Sequence, residues 1–117
     1  AYRVPVGCSL AELKAQMKAW CGDGEIEILN EEVPFKAVRN THLVRAFLQA
    51  IRDEGGRPRF ALKHGTSDMN IVGPAWGCPI VAYGPGDSNL DHTPNEHISL
   101  AEYNRAIRTL VRVLQAL

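Results

Sequence analysis

Cysteine is scarce, neither sign of charge is in excess, and no apolar run approaches membrane-spanning length. Cys8, Cys21 and Cys78 are an odd set with no CxxC spacing. That argues against a disulfide framework or a thiolate zinc site, and predicts reduced, mostly buried thiols in a cytoplasmic protein. Thirteen basic residues balance thirteen acidic ones, so bulk charge provides no drive toward nucleic acid or a membrane surface. Lys and Arg also lack the aromatic interleaving of a single-strand binding groove. The apolar runs are too short to cross a bilayer, and AYRVPVGCSL has no charged region followed by an apolar one, as a signal peptide would. Neither GxxxxGK(S/T) nor GxSxG occurs, which leaves no phosphate loop and no nucleophile elbow. The chain also lacks an initiator Met and starts in a strand-like Tyr2-Arg3-Val4, which predicts a segment of a longer protein.

What remains is an ordinary globular composition, 45% hydrophobic and 22% charged. Ser9-Leu10-Ala11-Glu12 is a capping box, followed by Leu10, Leu13, Met17 and Trp20 at helical spacing and by Gly22 as a stop. Glu25-Ile26-Glu27-Ile28 alternates as a half-buried strand does, so residues 2–33 read as strand, helix, strand. Pro34 makes the following stretch a connector. A second helix starts at Asn40 or Thr41, carries Leu43, Val44, Phe47, Leu48 and Ile51 on one stripe, and ends at Gly55-Gly56. Strand patterns recur from Arg57 to Lys63 and from Pro79 to Tyr83, with a helix opened by the turn Gly65–Asn70 between them. A second capping box at Ser99 starts a closing helix with Leu100, Tyr103, Ile107, Leu110, Val111 and Leu114 on its apolar side. Alternating strands and helices predict α/β layering with a partly parallel sheet.

Two loops carry the polar chemistry. In HGTSD, residues 64–68, Gly65 admits close backbone approach, and Thr66 and Ser67 place hydroxyls beside helix-start N–H groups. That suits a carboxylate, although either hydroxyl also suits a plain helix cap. In GPGDSNLDHTPNEH, residues 84–97, five metal-capable side chains crowd together: Asp87, Asp91, His92, Glu96 and His97. The loop is either a solvated Ω-like turn or the source of a ligand, and His92 beside Asp91 has the pattern of an imidazole oriented by a carboxylate. Glu96 and Asn95 suit chain turning and backbone capping. His42 reads as structural, and His64 as a strand end or a neighbour of the first loop. Cys78 and Ser67 read as structural rather than nucleophilic.

The run KHGTSDMNIVGPAWGCPIVAYGPGDSNLDHTPNEHISLAEY resembles the C-terminal portion of the M20 family of zinc-dependent amidohydrolases, and within it the lysine-biosynthesis deacylases. The resemblance implies that residues 1–34 end an α+β lid or dimerisation domain as a β-α-β piece. Residues 35–117 would then form the C-terminal segment of a zinc-peptidase-like α/β catalytic domain. It further implies His92 as the last ligand of a two-zinc site, with cobalt an admissible substitute. Gly65, Thr66, Ser67 and Arg3 would grip the substrate carboxylate, Arg3 through its bidentate fork. The substrate would be an acylated lysine or ornithine, carried by an acetyl group or by an amino-group carrier protein, in a cytoplasmic homodimer. The family's HxD motif, bridging Asp, Glu-Glu pair and further carboxylate ligand have no counterpart here; Glu31-Glu32 lies in the wrong place to be that pair. No catalytic residue is therefore assigned to this chain, which is expected to be inactive alone. The rival expectation is a non-catalytic module that binds a carboxylate or pairs with itself.

Overall fold

The computed structural model describes residues 2–62 and 65–117. Among them are four α-helices: α1 (Leu10–Cys21), α2 (His42–Asp53), α3 (Met69–Trp76) and α4 (Leu100–Ala116). The expected α/β layering is not found, because no strand and no sheet occur among the described residues. This overturns both the β-α-β piece and the α/β catalytic segment. The physical reason lies in where backbone hydrogen bonds go. A helix closes its bonds within its own segment, whereas a strand needs a partner at a distance in sequence. Outside the helices, the backbone–backbone bonds among the described residues are local turn and cap bonds, such as Cys8 N–H to Pro5 O and Gly24 N–H to Cys21 O. Ile26, Ile28, Phe60, Leu62 and the Pro79–Tyr83 run keep their strand pattern but have no ladder. The end of the Arg57–Lys63 run and His64 lie outside the described residues.

The chain divides into two compact units, Ala1–Lys36 with Leu62–Cys78, and Ala37–Ala61 with Pro79–Leu117. In the first, the expected capping box forms: Ser9 Oγ accepts from Glu12 N–H at 3.3 Å. Helix α1 ends at Gly22, whose φ of 58° is open to glycine at little cost. No α1 residue is buried, and Lys14 pairs with Glu31 across the loop that follows it. Helix α3 is short because Pro74 removes a donor inside it and Gly77 closes it in the left-handed conformation. Its Gly73 is buried, and a Cβ there would collide with the Phe35 ring. The thiols are free, yet Cys8 and Cys78 are exposed and Cys21 only half-buried, which corrects the expectation of buried cysteines. Cys8 closes the turn before the α1 cap and Cys78 follows directly on the α3 cap.

The second unit is built on one helix pair. Thr41 caps α2 through Val44 N–H at 3.2 Å, and Val44, Phe47 and Ala50 are buried along its face. Against them α4 buries Ala106, Thr109 and Val113. Phe47, Ala50 and Val113 form the centre, with Leu43, Ala46, Val81 and Tyr83 packed round it. The Phe47 and Tyr83 rings are tilted at 51° with centroids 5.1 Å apart, a pairing that contributes about 1 kcal/mol beyond area burial. At one end Glu54, its side chain 8% exposed, accepts from Arg108 Nε at 2.7 Å and Arg112 Nε at 2.6 Å. Those two hydrogen bonds, Arg108 first, hold the Glu54 carboxyl below its ordinary range, and Glu54 in turn pushes Arg112 up.

The apolar side expected to bury in α4 is not the one that does. Leu100 is 74% exposed, Tyr103 50% and Leu114 73%, while the residues in the seam are small or β-branched. Small side chains at 106 and 109 let the two helix axes approach, so packing selects that face over the more hydrophobic one.

Candidate functional site

The 84–97 loop is a chain of interlocked turns. Asp87 Oδ1 accepts from Asn89 N–H at 3.0 Å and from Asn89 Nδ2 at 2.8 Å, and Leu90 N–H donates to Asp87 O at 2.9 Å. Leu90 O then takes two donors, Thr93 N–H at 3.1 Å and Thr93 Oγ1 at 2.7 Å. Glu96 N–H donates back to Thr93 O at 3.1 Å. His97 Nδ1 donates to Asn95 O at 2.6 Å, which places its proton on that nitrogen.

This accounting sorts the five metal-capable side chains. Asp87, Glu96 and His97 are engaged within the loop, whereas the Asp91 carboxylate and His92 imidazole make no hydrogen bond among the described residues. Asp91 therefore does not orient the His92 ring here. Glu96 does something else: its Oε2 accepts from the His92 backbone N–H at 3.0 Å. His92 has φ 63°, the sole positive value for a non-glycine among the described residues. A left-handed conformation with a Cβ costs about 1 kcal/mol, and such strain is held only where surrounding bonds over-determine it. The exposed imidazole fits the part of a single metal ligand. Among the described residues, no three His, Cys, Asp or Glu side chains converge.

The 65–68 turn lies in the other unit. Ser67 N–H donates to Asn70 Oδ1 at 3.0 Å, and Asn70 Nδ2 donates to Val33 O at 2.8 Å. Neither Thr66 nor Ser67 caps α3; Asp68 occupies the cap position without a side-chain bond. Asn70 is thus the residue that fastens this turn, unsignalled in the sequence because its second partner lies 37 positions away. A Cβ built on Gly65 would meet nothing within 4 Å, so the space over that backbone is open. Asp68 at the α3 start supplies a negative charge of the kind that a helix N-terminus favours. Arg3 is exposed and has no carboxylate partner among the described residues. His64 lies outside them. His92 belongs to the second unit, and Arg3, Gly65, Thr66 and Ser67 to the first.

Residues 5–116 match the family described as peptidase family M20/M25/M40. The chain belongs to that family. Its members are generally metal-dependent hydrolases. A Thermococcus kodakarensis relative is 55% identical over 91 residues, 78% of this chain and 26% of its own length. A Deinococcus radiodurans protein named LysW-lysine hydrolase is 46% identical over 101 residues, 86% of this chain and 28% of its own. A Sulfurisphaera tokodaii protein named LysW-lysine/LysW-ornithine hydrolase is 40% identical over 93 residues, 80% and 27%. The Thermococcus protein carries a provisional name of the same class. This M20 chain spans about a quarter of the length of the curated relatives it matches.

Proposed function

We propose that this chain is part of a zinc-dependent amidohydrolase that releases lysine or ornithine from an acyl group, either acetyl or the LysW carrier protein. What supports the reading is the M20 match of this chain together with its similarity, over most of its length, to proteins named for hydrolysing LysW-lysine and LysW-ornithine. His92 holds the metal through a ring nitrogen. Arg3, Gly65, Thr66 and Ser67 orient the α-carboxylate, with the Arg fork supplying two parallel donors. Zinc in such a site supplies Lewis acidity toward the amide carbonyl and activates water. The remaining ligands and the proton-shuttling glutamate come from the rest of a family-length protein, of which residues 1–34 end the lid and residues 35–117 end the catalytic part. The assembly is a cytoplasmic homodimer.

The test is a chimera in which this chain replaces the matching segment of the Deinococcus relative. It is expected to release free lysine from LysW-lysine, to lose that activity to a chelator, and to lose metal and activity together on His92→Ala. A chimera that folds in one cooperative transition yet releases neither lysine nor ornithine, while the parent does, overturns the proposal.

A further inference from the structure

We propose that Glu96 is the positioning residue of His92, its carboxylate holding the His92 peptide in the left-handed conformation and so fixing the direction in which the imidazole leaves the loop. The role rests on reading His92 as a metal ligand.

Three observations converge on it. His92 alone among the described non-glycine residues has a positive φ, 63°. Glycine or Asn would take that conformation more easily, so a histidine kept there points to a requirement for the side chain rather than for an easy turn. The bond that restrains it is the 3.0 Å contact from His92 N–H to Glu96 Oε2. The carboxylate also comes from a backbone that is itself tied down. Glu96 N–H is bonded to Thr93 O at 3.1 Å, and Thr93 is bonded twice to Leu90 O, at 3.1 and 2.7 Å. A side chain anchored at its own peptide loses little freedom in making the second bond, so the ring Leu90–Thr93–Glu96–His92 behaves as one braced unit. Glu96 acts on the ligand through its main chain, so it is distinct from the carboxylates that commonly hold a ligating imidazole by its second nitrogen.

The experiment has two arms. In the isotope-labelled chain, the His92 amide exchange rate and Cα and Cβ chemical shifts are compared for the parent, Glu96→Ala and Glu96→Gln. Glu96→Ala is expected to speed His92 exchange about ten-fold and move its shifts off the left-handed values, with α4 amides unchanged. Glu96→Gln keeps an acceptor oxygen and is expected to restore the parent behaviour. In the chimera, zinc affinity is measured by competition with a chromophoric chelator. Glu96→Ala is expected to weaken it about ten-fold, within the usual range for residues that orient a ligand, and Glu96→Gln to recover most of the loss. Unchanged His92 shifts and exchange in Glu96→Ala overturn the proposal, as does unchanged zinc affinity in Glu96→Ala while His92→Ala loses the metal. Should His92→Ala itself leave zinc binding intact, the ligand reading fails, and the spectra of the chain still report whether Glu96 sets the conformation of residue 92.

Discussion

Glu54 shows what one side chain can do at the end of a helix pair. It follows the last residue of α2, is nearly covered, and receives a guanidinium Nε from each of two successive turns of α4. Arg108 and Arg112 stay more than half exposed, so solvent and salt screen the attraction while geometry keeps it directional. The hydrogen bonds from Arg108 and then Arg112 lower the Glu54 pKa in the folded state. The folded chain therefore binds the Glu54 proton less readily than the unfolded one. The stability that follows is complete above the ordinary carboxylate range and is lost as the pH falls through the depressed value. Glu54→Gln is expected to lower the urea midpoint at neutral pH, and its difference from the parent is expected to shrink as the pH falls below the ordinary carboxylate range. A difference that does not change with pH would show that the clamp is not electrostatic. Nothing in the sequence marks Glu54, because its partners lie 54 and 58 positions away and the Gly55-Gly56 stop draws attention past it.

The α2/α4 seam sets the terms at the scale of elements. Thr109 is 1% exposed, and its Oγ1 is buried without a hydrogen-bond partner among the described residues, so the seam contains a polar atom that those residues do not satisfy. Val and Thr have nearly the same shape and similar helix propensity. Thr109→Val is therefore expected to stabilise the chain by about 1 kcal/mol, read as a higher urea midpoint at unchanged slope. Thr109→Ser should destabilise, since it keeps the orphan hydroxyl and removes a methyl from the seam. A destabilised Thr109→Val would mean that the hydroxyl has a partner after all. The element scale also shows what was readable. The Ser9 and Ser99 caps and the Gly22 stop were legible because a cap is made within four residues, and the start of α2 was legible to within Asn40 or Thr41. In α4 the helix was legible and its buried face was not, since hydrophobicity favours Leu100, Tyr103 and Leu114 while close packing favours Ala106 and Thr109. Alternating Ile26 and Ile28 carried a correct period but no information about a partner, and among the described residues none is present. The candidate loop was legible as a polar cluster with His92 at its centre. Backbone capping by Glu96 was legible as well; that the capped group is the N–H of His92, in the left-handed conformation, was not, because residue types do not encode that φ value.

For the whole molecule, the deciding comparison is between what is buried and what is left out. The buried hydrophobic residues among those described are Val44, Phe47, Ala50, Ala106 and Val113, all in the second unit. Trp20, Leu29, Val38, Trp76, Leu100 and Leu114 are each at least 67% exposed. Residues 100, 103, 107, 110 and 114 of α4 and the C-cap residue 117 are all apolar, recur by three and four, and are each at least 41% exposed, an apolar stripe of the kind that helices pair through. A core that small leaves little margin over chain entropy, and exposed apolar faces of that extent promote association. The 117-residue chain alone is therefore expected to self-associate with rising concentration, to bind an apolar fluorescent dye, and to hold well under one zinc per chain after dialysis. It is also expected to release no lysine from acetyl-lysine. The first two outcomes follow from the surface and the last two from the donor set, so they separate. A monomeric chain that stays dye-free would show that the exposed stripes are covered in solution. Chelator-sensitive hydrolysis by the purified chain would require ligands and a proton acceptor gathered within one chain from residues that form no cluster among those described, or gathered from several copies of the chain. Sedimentation of the active species distinguishes those two routes, because only the second makes activity rise faster than linearly with chain concentration.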